Sequence, residues 1–74
     1  MTFELWDTES GNLLGSYPSM DAALAFVRSV IGQDGSAAVA QWELFAMEDG
    51  ISAASVADGE ALVALSDASA STPA

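Results

Sequence analysis

Carboxylates are the only side chains with versatile chemistry that this sequence supplies in number. Its 74 residues include eleven Asp and Glu but one Lys or Arg, and no His or Cys. Asp7, Glu9, Glu48 and Asp49 all fall beside turn signals, and side-chain oxygens brought together at one end of a sheet would suit calcium, which takes several such ligands. The series Asp7-x-Glu9-x-Gly11 lacks the regular ligand spacing and closing glutamate of an EF-hand loop, and solvated turn residues account for it. A carboxylate pair also hydrolyses glycosides, but that chemistry needs a deep sugar cleft that a domain of this size can hardly enclose. With no His, Cys or Lys and a single Tyr, the usual general bases and activated nucleophiles are missing. The chain is therefore read as non-enzymatic, with no catalytic residue, no cofactor, no metal site and no small-molecule substrate.

The formal net charge is −10. Such a surface repels phosphates, and nucleic-acid binding depends on neutralising them with Lys and Arg, so nucleic acid and anionic membranes are set aside as partners. Acidity of this degree fits a high-salt habitat, a basic protein partner or plain solubility. A disulfide and a Cys-His zinc site are excluded by composition. There is neither a secretory signal nor a run of 18 apolar residues, which makes the cytoplasm the expected compartment.

Any such surface must be positioned by secondary structure, and the segment Ser19 to Gly32 carries the clearest periodicity. At 100° per residue Met20, Ala23, Leu24, Phe26, Val27, Val30 and Ile31 share one stripe, as a core-facing helix requires. Ser19 is the expected N-cap, Gly32 the expected stop, and Arg28 is placed in the last turn, where a cation is favoured. Before the helix, Thr2 to Thr8 and Leu13 to Tyr17 read as strands joined by Glu9-Ser10-Gly11-Asn12. After it, a loop over 33–36 leads to a strand over Ala38 to Glu48. There Ala40, Trp42, Leu44 and Ala46 share one face, and Gln41, Glu43, Phe45 and Met47 the other. Asp49-Gly50 signals a hairpin to Ile51 through Ala57. Asp58 then caps a short helix, Gly59 to Leu65, with Ala61, Leu62 and Leu65 inward. The expected fold is α+β: an antiparallel four-stranded sheet packed on one main helix, ββαββ with a short C-terminal helix. Residues 1–65 form the domain and 66–74 a disordered tail.

The run FELWDTESGNLLGSYPSMDAALAFVRSVI resembles small uncharacterised bacterial domains in which a Trp-containing strand, a DTESGN-type turn, a Gly-x-Tyr strand and an Ala-rich helix follow one another, with an acidic-Gly hairpin later. The resemblance covers residues 3–65. It implies the ββαββ arrangement and no activity.

Two functions remain. If Phe3 and Leu5 meet the helix, Trp6 faces away, and the third strand keeps either Trp42 with Leu44 or Phe45 with Met47 on that second face. Large apolar groups on both faces of a small sheet suggest an interaction or homodimerisation module with Trp6, Trp42, Phe45 and Met47 as candidate interface. The plainer alternative is a terminal helix folded across the second face, or aromatics that close the ends of a single core. The other function is an acidic inhibitor or mimic, antitoxin-like or DNA-mimic-like, that binds a basic protein through Glu4, Asp7, Glu9, Glu43, Glu48 and Asp49.

Overall fold

The computed structural model describes residues 1–49 and 51–71. Strands β1 (Thr2–Asp7) and β2 (Asn12–Tyr17) precede helix α1 (Met20–Asp34). A single 3-10 turn (Ser36–Val39), strands β3 (Trp42–Glu48) and β4 (Ile51–Asp58) and helix α2 (Gly59–Ser71) complete the chain. The strands form one antiparallel sheet in the order β2-β1-β3-β4, so the fold is the expected α+β arrangement with one main helix and a short C-terminal one.

Local chemistry explains the turns. One carboxylate oxygen of Asp7 accepts the backbone N–H groups of Glu9 and Ser10 at 3.0 and 3.4 Å, which folds the chain over before β2 begins. Gly11 closes the turn by donating to the Asp7 carbonyl at 2.8 Å with φ of 73°. At the other hairpin Asp49 takes a φ of 54°, a left-handed conformation that Asp tolerates better than most residues. Gly50, the second half of that turn signal, lies outside the described residues.

Helix α1 starts as expected, with the Ser19 hydroxyl accepting from the Ala22 N–H at 3.2 Å. It does not stop at Gly32. The helix runs on to Asp34 and ends at Gly35, whose φ of 86° turns its N–H back to the Ile31 carbonyl at 2.8 Å. A glycine within a helix costs only about 1 kcal/mol, so Gly32 is tolerated there while the left-handed stop needs Gly35. Arg28 consequently lies before the last turn, and its Nη1 donates to the Ser66 carbonyl of α2 at 3.4 Å. The stretch Ser36–Val39, where the sequence suggested loop and strand, is the 3-10 turn, and β3 begins only at Trp42.

Leu5, Ala23, Leu24, Val27, Val39, Leu44 and Leu62 form one fully buried cluster. It draws on β1, α1, β3 and α2, so both helices cover the same face of the sheet. Helix α2 therefore does not fold across the second face. It also continues past Leu65, through the start of the expected tail: Ser66 is buried, and its hydroxyl donates to the Val63 carbonyl at 2.8 Å. A serine that satisfies itself on the preceding turn can be buried as a small group. Ala61, expected inward, is exposed, and Asp58 ends β4. Residues 72–74 of the expected tail lie outside the described residues. No helix among the described residues is long and apolar enough to cross a membrane.

Candidate functional site

The register of the two central strands assigns every side chain to a face. Strands β1 and β3 pair without a bulge from Thr2 opposite Met47 to Asp7 opposite Trp42. Leu5 and Leu44 are opposed and fully buried under the helices. By alternation Thr2, Glu4 and Trp6 of β1, with Met47, Phe45 and Glu43 of β3, occupy the face that carries no helix. Across the strands Glu4 stands directly opposite Phe45, and Trp6 directly opposite Glu43. Rings and carboxylates therefore alternate over the centre of the open face.

This surface is shaped rather than flat. Trp6 and Phe45 are half-buried, and Met47, at 8% exposed, is nearly covered although no helix lies over it. The Trp6 indole N–H donates to the Glu4 carboxylate at 3.1 Å, which fixes the ring against its own strand. The Ser55 hydroxyl of β4 donates to Glu43. Glu4, Trp6, Phe45 and Met47, with Asp7, Thr8 and Gly11 at the turn end, line an open concavity of about 530 Å³. The Thr8 hydroxyl in turn donates to the Gln41 carbonyl at 2.6 Å, tying that end to the start of β3.

Of the expected interface, Trp6, Phe45 and Met47 share this face, and Trp42 does not. Trp42 lies on the helix side, its ring parallel to that of Phe26 within 5° at a centroid separation of 6.0 Å. Phe26 stacks in turn on Tyr17 at 6.1 Å, so three rings from β2, α1 and β3 close one flank of the core. Burial there raises the Tyr17 phenol pKa above its ordinary 10.0. A Cβ at Gly15 would come within 2.7 Å of the Tyr17 hydroxyl, so glycine there lets Tyr17 lie over its own strand without displacing the ring.

The six carboxylates of the expected acidic surface do not form one patch. Glu4 and Glu43 lie on the open face. Asp7 and Glu9 stand at the β1–β2 turn, while Glu48 and Asp49 stand at the β3–β4 turn. Because β1 and β3 run antiparallel, with Asp7 opposite Trp42 and Thr2 opposite Met47, those turns are at opposite ends of the sheet. The four turn carboxylates thus cannot meet as an oxygen-ligand set. Among the described residues no three His, Cys, Asp or Glu side chains gather as a metal would require.

Leu13 also belongs to the open face, where it stands opposite Trp6. The β1–β2 register passes from Leu5 opposite Gly15 to Trp6 opposite Leu13, leaving Leu14 as an extra residue. A bulge of this kind breaks the period-2 alternation on which face assignments rest, so only the strand pairing reveals that Leu13 flanks Trp6. Comparison with protein-family models, curated proteins and solved structures yields no match to this chain.

Proposed function

We propose that this protein is a non-enzymatic protein-interaction module whose open sheet face docks a basic partner protein. One observation carries the reading: the uncovered face presents Leu13, Trp6 and Phe45 beside Glu4, Glu43 and Asp58, which stands opposite Glu43, while the chain's only basic side chain, Arg28, lies in the helical layer bound to the Ser66 carbonyl. Covering the apolar groups releases water from them and favours association. Covering these carboxylates without a cation is costly. The favourable occupant therefore brings both apolar side chains and positive charge. A second copy of the chain brings the apolar groups but sets Glu4 and Glu43 against a partner that also carries −10, which opposes a homodimer through this face. Glu4 and Glu43, with Asp58 opposite Glu43, are the carboxylates that such an occupant meets.

Isothermal titration calorimetry tests this with two capped peptides, Gly-Leu-Lys-Leu-Lys-Gly and the same sequence with Glu in place of Lys. The basic peptide is expected to give saturable heat that weakens with added NaCl and is lost with the double variant Glu4→Gln, Glu43→Gln. The acidic peptide is expected to give none. Absence of heat with the basic peptide, or an unchanged response of the double variant, would refute the proposal.

A further inference from the structure

The geometry points to an arginine side chain of the partner as the group that fills the concavity on the open face, an inference that rests on the docking reading above. Directly opposed residues of an antiparallel pair stand about 5 Å apart at Cβ. Glu4 with Phe45, and Trp6 with Glu43, therefore make a compact square in which each ring has a carboxylate across the strands and another along its own strand. A planar guanidinium fits that alternation. Its face stacks on an aromatic ring while its in-plane N–H groups donate to carboxylates beside the ring. Its aliphatic stem has apolar surface to lie on, supplied by half-buried Phe45.

The carboxylates retain capacity for this. Glu4 accepts one bond from the Trp6 indole and Glu43 one from Ser55, and an ionised carboxylate has about four acceptor positions. The Trp6–Glu4 bond also holds the indole in place before anything binds, which reduces the ordering cost of association. A lysine ammonium can satisfy the charge but is compact and strongly hydrated, and it has no face to stack. The chain's own Arg28 cannot serve, since it is on the other side of the sheet and engaged with α2. The concavity of about 530 Å³ has room for one such head group; Glu4 and Asp7 are the carboxylates that line it, and Glu43, across the strands from Trp6, stands beside it.

The test compares three capped peptides of equal length, Gly-Leu-Lys-Leu-Lys-Gly, its arginine counterpart and its citrulline counterpart, by calorimetry on the intact protein. Arginine is expected to bind roughly three- to tenfold more tightly than lysine, and the uncharged citrulline peptide to show no binding. Phe45→Leu, which keeps an apolar side chain but removes the ring, is expected to bring the arginine-to-lysine ratio close to one. Trp42→Phe, on the opposite face, leaves the ratio unchanged. Equal binding of lysine and arginine by the unaltered protein overturns the arginine inference and leaves the docking reading intact. Binding of citrulline as tight as that of arginine overturns both, since charge would then be irrelevant. No binding by any of the three also overturns both.

Discussion

The two tryptophans stand on opposite faces of one sheet and have opposite surroundings. Trp42 is stacked on Phe26 within a three-ring wall that joins β2, α1 and β3. Trp6 is hydrogen-bonded to Glu4 of its own strand and borders an open concavity. A large aromatic group stabilises a small domain when other elements pack on it, and Trp42 does this. Trp6 has the same apolar surface but no helix above it, and it is left half-buried. The difference separates residues that hold the fold from residues the fold holds out.

Neighbouring positions on β3 sharpen that separation. Leu44 is fully buried under the helices, and Phe45 faces the other way. Leu44→Ala is expected to cost about 2–5 kcal/mol of unfolding free energy, a large fraction of what a domain this small possesses. Phe45→Ala, despite removing more atoms, is expected to cost about 1 kcal/mol or less. Urea denaturation followed by circular dichroism reads both. Equal losses would mean that the open face is part of the core.

The same contrast applies to the rings. Trp42→Ala is expected to lower stability by about 2 kcal/mol, through lost packing and lost stacking, and Trp6→Ala by about half of that while abolishing binding of the basic peptide. If Trp6→Ala proved the more destabilising of the two, the comparison would be reversed.

Charge gives a smaller effect. Eleven carboxylates and one basic side chain repel one another, and 0.1 M salt screens such repulsion beyond about 10 Å. Added NaCl is expected to raise the melting temperature by a few degrees, corresponding to roughly 1 kcal/mol for a domain of this length. A melting temperature indifferent to salt would mean that the charges are too dispersed to destabilise the fold. Sedimentation velocity across the same salt range should show a monomer, and a dimer that tightened with salt would favour self-association of the open face.

The smallest effect belongs to the aromatic wall. Because burial holds the Tyr17 phenol above its ordinary 10.0, above about that pH the unfolded chain releases a proton that the folded chain retains. The stability contribution is whole below that pH and is lost as the pH rises towards the folded-state pKa. Tyr17→Phe should remove this alkaline decline. A decline that persists in the variant would assign it to another group.

The sequence made several of these elements legible, and pairing decided the others. Ser19 marks the start of α1 because a hydroxyl accepting from the first turn is a local device. The alternation from Trp42 to Met47 divides β3 into its two faces because one of them is buried. The stop at Gly35 is hidden by Gly32, for nothing local distinguishes a glycine tolerated in a helix from the one that must turn left-handed. The bulges at Leu14 and, on β4, at Ala53 and Val56 interrupt alternation on both edge strands, where period-2 reading fails. Which carboxylates meet is a matter of register: Asp7 and Glu48 are alike in sequence context and lie at opposite ends of the sheet. The placement of α2 beside α1 likewise depends on Leu62 joining Leu24 and Val27 in one cluster, a long-range contact that no local pattern encodes.

If the Trp6 face is a docking surface and the Trp42 face structural, the two indoles serve as a reporter on each. In nitrogen-15 correlation spectra the two indole N–H groups give separate signals, which variants at either position assign. Titration with the capped arginine peptide is predicted to move the Trp6 signal progressively to saturation and to leave the Trp42 signal in place. Movement of the Trp42 signal alone, equal movement of both, or movement of neither would contradict the account.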